Sequence, residues 1–290
     1  MFYKIGVLYD FSETSKKALK AASHWAKAFS SSLKIIHVVP DSDLLEIISK
    51  DSVSNDATHA LTRQIEKDFQ EISTEKPEIL ILFGHTTNII LETLKAEPLD
   101  LIIMGTHGYS GMSRLLLGSV AEKTIRYSPI PVLVIREDFH HLPQSILAPI
   151  DFNDFTEELF LHLFEISKIL NVTFDLVHMI PYINTMRLLS EGAPNLAAID
   201  YDLIKGNAEV QIKFHADKHP SLKVNTHVGI GAVAEGICEK AKELRSDLIL
   251  IHTHGYKGTK HLLLGSVAEQ VVRYSPCSVL SFAPQQVKSN

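Results

Sequence analysis

The chain has 290 residues, 45% of them hydrophobic and 21% charged, which is typical of a soluble globular protein long enough for two domains. Its formal net charge is −6 and its pI about 6.2, so the overall field disfavours nucleic acids and anionic membranes as partners. Two cysteines provide no disulfide framework, and neither a signal-peptide core nor an apolar run near the about 18 residues of a membrane span occurs, so we expect a cytoplasmic protein.

In the first half of the chain, strand patterns alternate with helix patterns. Residues 12–29 place Ala18, Ala22, Trp25 and Phe29 on one stripe of a helix, with Ser12 as its N-cap. Strands are predicted over 5–9, 33–39, 78–83, 99–104 and 131–135, and helices over 12–29, 58–72, 88–97 and 118–128. Apolar strands that alternate with helices predict a parallel, doubly wound α/β sheet, in which ligands bind beyond the carboxyl ends of the strands.

The second half repeats the first. The spacing between matched residues is 141 near the start and 147 later, so the second copy carries about six (147 − 141) extra residues, which we place in 182–206. About 19 of the 31 positions in 105–135 are identical at 252–282. Because a period near 145 is too long for a solenoid unit, each copy is a domain. We predict a first domain over 1–138 and a second over 144–290.

The glycines of the stretch MGTHGYSGMSRLLLGSV mark a strand-to-loop and a loop-to-helix transition. Gly105 and Gly108 follow a strand, where glycine permits positive φ and lets the backbone approach a ligand. Gly118 and Ser119 begin the next helix, whose free N–H groups and positive dipole end suit a phosphate. The Ser119 hydroxyl has two candidate roles, capping this helix or donating to a phosphate oxygen. Glycine-rich loops also serve as plain turns, but Asp10 at a second strand end favours a ligand site.

The spacing G-x2-G-x9-G-[ST] of this stretch resembles the nucleotide-binding signature of universal stress proteins. ILAPIDFND resembles the family's opening strand and aspartate, IIHVV its second strand, and DLIIMGTHG with GSVAEKTIRYSPIPVLVI its carboxyl-terminal half. The resemblance covers the whole chain twice, as in a tandem universal stress protein. It implies two Rossmann-like domains of the adenine-nucleotide alpha-hydrolase-like kind, related by pseudo-twofold symmetry.

The resemblance also implies a ligand, ATP with Mg²⁺, for the first copy. By this resemblance, the ribose, the adenine edge and the phosphates would be contacted by Asp10, Val38, Gly105, Gly108, Gly118 and Ser119. The first copy departs from the family pattern at Leu8 and Tyr9. A tyrosine beside the aspartate either stacks on a base or fills the pocket, and the sequence leaves both readings open.

The second copy matches the signature less completely. Its candidate binding residues are Asp151, Met179, Gly255, Gly265 and Ser266. His252 replaces the first glycine, so a side chain is expected to intrude at that strand exit. The cations of the second loop are Lys257, Lys260 and His261, where the first loop has Arg114. We expect impaired or altered ATP binding there, with a weakly held anion, a different ligand and no ligand as the alternatives.

Histidines offer a possible metal site that we weigh and set aside. His252 and His254 with His227 or His261 would supply zinc ligands, but thirteen other histidines are scattered along the chain, so a close pair is weak evidence for a metal site. A structural or phosphate-facing role is therefore preferred, and no metal-ligating or catalytic residue is assigned. His37 and His178 fall in buried strand patterns and are interpreted as core histidines.

Three functions remain. The first is a regulatory ATP-binding stress protein with at most slow hydrolysis, because no paired carboxylates or general base stand out. The alternative is a nucleotide-independent stress scaffold or protein-interaction module whose second domain binds another ligand. The third, an enzyme that adenylates a substrate, lacks the HIGH, KMSKS and SGGxDS signatures of that wider group.

The closing strands of the two copies, 131–135 and 278–282, are expected to be exposed edges unless they pair. Single-domain relatives commonly dimerise through this strand. We therefore predict that the two strands pair within the chain and form an intramolecular pseudo-dimer, with a further homodimer and unknown protein partners left open.

Overall fold

The structure is a computed structural model that describes residues 1–42, 54–106, 117–136, 139, 142–153, 156–182, 200–253 and 265–282. The first copy contains five strands and four helices within these ranges. In chain order they are β1 (Lys4–Leu8), α1 (Glu13–Phe29), β2 (Ser32–Val39), α2 (Ser54–Gln70), β3 (Glu78–Phe83), α3 (Thr86–Ala96), β4 (Leu101–Gly105), α4 (Ser119–Tyr127) and β5 (Val132–Ile135).

The described part of the second copy has the same order of elements. They are β6 (Ser145–Pro149), α5 (Thr156–Ser167), β7 (Thr173–Ile180), α6 (Tyr201–Asp217), β8 (Val224–Ile230), α7 (Val233–Glu243), β9 (Leu248–His252), α8 (Ser266–Tyr274) and β10 (Ser278–Phe282). Because β7 matches β2 at a spacing of 141 and α6 matches α2 at 147, the extra residues lie between 180 and 201. The extra residues therefore precede Tyr201, whereas the predicted stretch extended to 206.

All ten strands form one sheet in the order β3-β2-β1-β4-β5-β10-β9-β6-β7-β8. Strands are parallel within each copy, which confirms the predicted pair of doubly wound domains. The strand order reverses between β1 and β4 in the first copy and between β6 and β9 in the second. Each domain therefore has its switch point beside the residues predicted to bind a ligand.

Two apolar layers cover the sheet. One layer contains α1 and its buried Trp25, and the other contains α4 and its buried Ile125. Alternate residues of β4 take part in one layer or the other, since Ile103 joins the first and Ile102 the second. Ser12 caps α1 by accepting a hydrogen bond from the Ser15 N–H, as the sequence predicted.

The two copies meet along β5 and β10, which pair in antiparallel fashion within the chain, as predicted. Beside them, α4 and α8 form a ring of four charges related by the repeat spacing of 147. Arg126 Nη2 lies 3.3 Å from Glu122 Oε1 and 2.9 Å from Glu269 Oε2, and Arg273 Nη2 lies 3.4 Å and 3.2 Å from the same two carboxylates. The repeat spacing thus relates the two arginines and the two glutamates to each other across the contact between the copies.

Among the described helices, none has both the length and the apolar character that a bilayer crossing requires.

Replacing Gly206 by alanine is expected to raise the free energy of unfolding by about 0.5–1 kcal/mol. Gly206 lies inside α6, and an added Cβ would meet no heavy atom within 4 Å. The gain arises because alanine loses less backbone entropy than glycine on entering a helix. Urea unfolding of the two proteins measures it, and an unchanged or lower midpoint would contradict this account.

Candidate functional site

A cleft of about 160 Å³ opens at the switch point of the first copy. Its walls come from the carboxyl ends of β1, β2 and β4 and from the first turns of α3 and α4. Of the predicted site residues, the cleft is lined by Asp10, Val38, Gly105, Gly118 and Ser119. The fold thus brings these five residues together. Gly108 lies outside the described residues.

Asp10 is held by the start of α1. Its Oδ1 accepts hydrogen bonds from Ser12 N at 3.1 Å and from Ser12 Oγ at 2.5 Å, and its own N–H lies 3.3 Å from Ser15 Oγ. The serine that caps the helix therefore also orients the carboxylate. Any shift of the first turn of α1 will move Asp10 with it.

The end of β1 is tied to β2 by a histidine. His37 is buried, and its Nδ1 donates to the Tyr9 carbonyl at 2.7 Å, which fixes the tautomer of the ring. His178 repeats the contact in the second copy, where Nδ1 donates to the Ile150 carbonyl at 2.8 Å. Both histidines have the structural role that the sequence predicted.

Tyr9 fills space rather than presenting its ring for stacking. The residue is 2% exposed, its hydroxyl donates to Asp68 Oδ2 at 2.5 Å, and Phe11 packs edge-on against its ring at 5.0 Å between centroids. Burial and the Asp68 hydrogen bond raise the pKa of the Tyr9 hydroxyl far above its usual range. Of the two readings the sequence left open, pocket filling describes the folded chain. Asp68, on α2, carries no signal in the sequence that would have linked it to Tyr9.

Glycine at position 105 has a packing reason that the sequence analysis did not predict. A Cβ at Gly105 would lie 2.9 Å from the backbone C and O atoms of Thr14, in the first turn of α1. The positive-φ glycines in the described chain are Gly84 and Gly231, so the expected positive φ at Gly105 is wrong. Glycine is required here because α1 packs directly on the end of β4.

Gly118 and Ser119 begin α4 as predicted, with Gly118 as the N-cap and Ser119 as the first helical residue. Gly118 N donates to the Thr106 carbonyl at 2.9 Å, which joins the two ends of the glycine-rich loop. Gly265 N makes the same bond to the Thr253 carbonyl at 2.7 Å in the second copy. Neither helix has a side-chain N-cap bond, so the capping role considered for Ser119 is not adopted.

The second copy departs most at its aspartate. Asp151 Oδ2 lies 3.5 Å from Asn153 Nδ2, where the first copy has the two short Ser12 bonds. Desolvation raises the pKa of Asp151, against the lowering influence of His178 and Asn153.

Met179 lies against two glycines of neighbouring elements. A Cβ at Gly229 of β8 would lie 2.6 Å from Met179 Sδ, and a Cβ at Gly236 of α7 would lie 2.1 Å from its Cε. The first copy has Val38 with Leu82 and Ile89 at the matching positions. Met179 therefore occupies space that these two glycines leave open, and the sequence analysis did not single them out.

The side chain of His252 extends towards α5. Its ring centroid lies 5.5 Å from that of His162 on α5 and 6.0 Å from that of Phe282 on β10. The matching residues of the first copy are Gly105, Ala21 and Ile135. His252 therefore lies on the side of the sheet on which α1 packs in the first copy.

The other predicted site features are only partly visible. Gly265 and Ser266 begin α8 as their counterparts begin α4, whereas Gly255 and the loop cations of both copies lie outside the described residues. His227, considered as a zinc ligand, instead pairs with Asp175, whose Oδ1 lies 2.9 Å from its Nε2. His254 and His261 are also outside the described ranges.

Comparison with known proteins gives a consistent result. The family model described as "Universal stress protein family" matches residues 1–136 and again 143–282. The universal stress protein YxiE of Bacillus subtilis is 34% identical over 149 residues, covering 47% of this chain and all of that protein. A universal stress protein of Mycolicibacterium smegmatis is 23% identical over 302 residues and covers 98% of both chains.

Solved structures extend the likeness to the fold of the whole chain. The crystal structure of a universal stress protein from Archaeoglobus fulgidus superposes with a TM-score of 0.69 at 19% identity, covering 97% of this chain and 98% of that one. Two matches of the family model account for most of the sequence. The chain belongs to the universal stress protein family, with two copies of the family's domain in tandem.

Proposed function

We propose that the first copy binds an adenine nucleotide, ATP with Mg²⁺, as a regulatory ligand in a stress response. Family membership supports the stress-response role. The observation that carries the nucleotide proposal is the cleft in which Asp10, Val38, Gly118 and Ser119 converge at the switch point. Free N–H groups at the start of α4 suit phosphate oxygens, and the Asp10 carboxylate suits ribose hydroxyls.

Hydrolysis is expected to be slow at most. Asp10 is the one carboxylate among the described residues that line the cleft, and its Oδ1 already accepts two hydrogen bonds from Ser12. A general base must be deprotonated and must point at the attacking water. Among the described residues of the cleft lining, no second carboxylate assists Asp10 in this role. We therefore regard nucleotide binding, rather than turnover, as the activity.

The second copy has a different candidate function, the binding of a ligand other than ATP or a purely protein-contact role. This proposal rests on two differences from the first copy: Asp151 Oδ2 lies 3.5 Å from Asn153 Nδ2 in place of the Ser12 contacts of Asp10, and His252 stands at the position of Gly105. Both copies keep a glycine at the N-cap of the helix after the loop, so weak anion binding is retained as an alternative.

Calorimetric titration of the full chain with Mg-ATP tests these assignments through a matched set of variants. Gly118 has φ −66° and ψ 149°, a conformation open to any residue, and Asp or Asn is a good N-cap. Gly118→Asp should therefore keep α4 folded but repel phosphate, whereas Gly118→Asn adds nearly the same bulk without charge. We expect one site per chain, abolished by Gly118→Asp, weakened less by Gly118→Asn, and insensitive to Gly265→Asp.

Two other calorimetric results would contradict parts of this proposal. Two sites, one lost with each aspartate variant, would contradict the asymmetry between the copies. If the folded wild type gives neither heat nor a thermal shift with Mg-ATP, the nucleotide proposal is wrong and the scaffold role remains.

A further inference from the structure

Helices α5 and α6 of the second copy present large apolar side chains to solvent. Within the described residues, the exposed fraction of these side chains runs from 38% for Phe164 to 70% for Val210. They form what we call the α5/α6 apolar face, which consists of Leu161, Phe164, Leu203, Val210 and Phe214. Single exposed apolar residues are normal on a protein surface, whereas a group of this size marks a contact surface.

The five residues follow one line across the two helices. Positions 203, 210 and 214 share one side of α6, and positions 161 and 164 share one side of α5. The two sets meet at an ion pair, in which Lys218 Nζ lies 3.6 Å from Glu157 Oε1. Lys218 comes four residues after Phe214, and Glu157 comes four residues before Leu161. One ion pair therefore lies between the two halves of the α5/α6 apolar face.

The first copy has exposed cations on the same side of its helices. At the repeat spacings of 141 for α5 and 147 for α6, the positions of Leu161, Val210 and Phe214 are held in the first copy by Lys20, Arg63 and Lys67. The core positions of these helices are kept, since Ile65 matches Ile212 and both are buried. The exchange of cations for apolar side chains is thus confined to the surface, where folding of the domain does not require it.

The charged groups beside the α5/α6 apolar face have both signs. Lys218 Nζ lies 4.4 Å from the centre of the Phe214 ring, and Lys168 Nζ lies 4.5 Å from the centre of the Phe164 ring. The Glu157 carboxylate supplies the opposite charge. A surface of mixed sign can pack against a copy of itself with opposite charges in contact, whereas the matching surface of the first copy, with its three cations, would repel its own copy.

We propose that the α5/α6 apolar face is the interface of a homodimer, in which it packs on the same face of a second copy of this chain. A twofold axis through the ion pair sets Glu157 opposite Lys218 of the partner subunit, and Leu161 opposite Phe214 of the partner subunit. Such an isologous contact pairs the charges and buries the apolar side chains of both subunits. The proposal rests on the protein-contact role considered for the second copy and is independent of nucleotide binding by the first.

The area of the face fits such a dimer. A large apolar side chain at these exposed fractions presents on the order of 100 Å² to solvent, so five of them offer about 500 Å². The largest apolar patch of an ordinary monomer covers about 300–600 Å² and often has a function. A standard interface buries about 800 Å² on each partner, which the α5/α6 apolar face reaches when the charged residues beside it are included.

Sedimentation equilibrium of the full chain between about 1 and 100 µM tests the proposal, because a contact of this size gives dissociation constants in that range. We expect wild type to approach twice the chain mass of 32.3 kDa. Leu161→Lys, Val210→Arg and Phe214→Lys introduce the residues that the first copy has at these positions, and each should raise the dissociation constant at least about tenfold. The control is Tyr3→Lys, which replaces a side chain that is 73% exposed outside the face and should leave the dimer unchanged.

A charge-reversal pair tests the twofold arrangement. Glu157→Lys and Lys218→Glu should each weaken self-association, because like charges then meet across the axis. In an equimolar mixture of the two variants, opposite charges face each other again on both sides of the axis, so we expect a mixed dimer. If each variant alone associates poorly and the mixture does not recover the dimer, the proposed arrangement is wrong.

The homodimer is overturned if wild type keeps the monomer mass over the whole concentration range, or if the three face variants dimerise like wild type. A monomeric wild type that loses stability towards urea in all three variants would show that another part of the same chain covers the face. Mg-ATP titration of Val210→Arg separates the two proposals, since its affinity should equal that of wild type whatever the oligomeric state.

Discussion

Replacing Gly105 by alanine is expected to lower the free energy of unfolding by about 1–3 kcal/mol, the usual cost of overpacking. The added methyl group would meet the carbonyl carbon and oxygen of Thr14 at 2.9 Å. Backbone atoms of a helix cannot move aside singly, so the whole first turn of α1 must shift. Urea unfolding of wild type and variant measures the loss.

The same shift should reach the cleft. Ser12, in the cap of α1, holds the Asp10 carboxylate through two hydrogen bonds. If α1 is displaced, Asp10 moves, and we expect weaker Mg-ATP binding by Gly105→Ala in the proposed site. The variant thus links a packing change on one face of the sheet to ligand affinity at its edge.

Gly6→Ala provides the matched control. Its Cβ would also be crowded, at 2.8 Å and 2.9 Å, but by the Cδ1 atoms at the ends of the Ile102 and Leu99 side chains. Flexible ends can rotate away, so we expect a smaller loss of stability and unchanged Asp10 geometry. Equal losses from both variants, or a Gly105→Ala protein as stable as wild type, would contradict the role assigned to Gly105.

The fold could be predicted because its signals are local or repeated. Ser12 as a helix cap and Trp25 on a buried stripe follow from short-range pattern, and both are as expected. The pairing of β5 with β10 followed from the duplication, because two closing strands in one chain can cover each other. Helix bounds moved by a few residues, as for α2, which begins at Ser54 rather than 58.

The details of the site could not be predicted because they depend on contacts between distant residues. The Tyr9 hydroxyl meets Asp68, 59 positions away, and nothing in either local sequence indicates the pair. The contact between Gly105 and Thr14 could not be predicted for the same reason, since the two residues lie about ninety positions apart (105 − 14 = 91) in the sequence. A glycine in the sequence can indicate that another group approaches the backbone closely at that position. Only the folded structure shows which group that is.

The two copies diverge by exchanging whole groups of touching residues. The second copy has Met179 with Gly229 and Gly236 where the first copy has Val38 with Leu82 and Ile89, and the long Met179 side chain occupies space that the two glycines leave open. His252 and His162, whose ring centroids lie 5.5 Å apart, stand where the first copy has Gly105 and Ala21. A duplicated domain can change a site in this manner without losing its core, because neighbouring changes compensate one another.

The histidine pair gives the second copy an expected sensitivity to acid. His162 stacks on Phe282 with centroids 3.9 Å apart, and His252 lies beside it. Burial lowers the pKa of His162 to about 4, and burial with the neighbouring His162 lowers the pKa of His252 to about 3. Glu158 Oε1, 3.7 Å from His162 Nε2, is too far for a hydrogen bond that would stabilise the imidazolium.

Folding stability falls at acid pH because the unfolded chain binds protons more readily than the folded chain. Above the unfolded pKa of about 6.5, both rings are neutral in both states and pH has no effect through them. As pH falls from about 6.5 towards 4, the unfolded chain binds protons that the folded chain refuses, so stability is lost. At pH 5 the loss is about 2 kcal/mol for each histidine and about 4 kcal/mol for the pair.

Urea unfolding at pH 7.5 and pH 5.0 isolates this effect, because the difference between the two pH values does not depend on the absolute stability of a variant. His162→Phe keeps the stack on Phe282, and His252→Leu keeps an apolar side chain in the same layer. Each should recover about half of the pH-dependent loss, and the double variant about 4 kcal/mol, whereas exposed His59→Gln should recover none. Carboxylates contribute equally to all these proteins and cancel. If the double variant loses as much stability at pH 5.0 as wild type, the pair is protonated in the folded chain, and burial in the second copy does not exclude the charge.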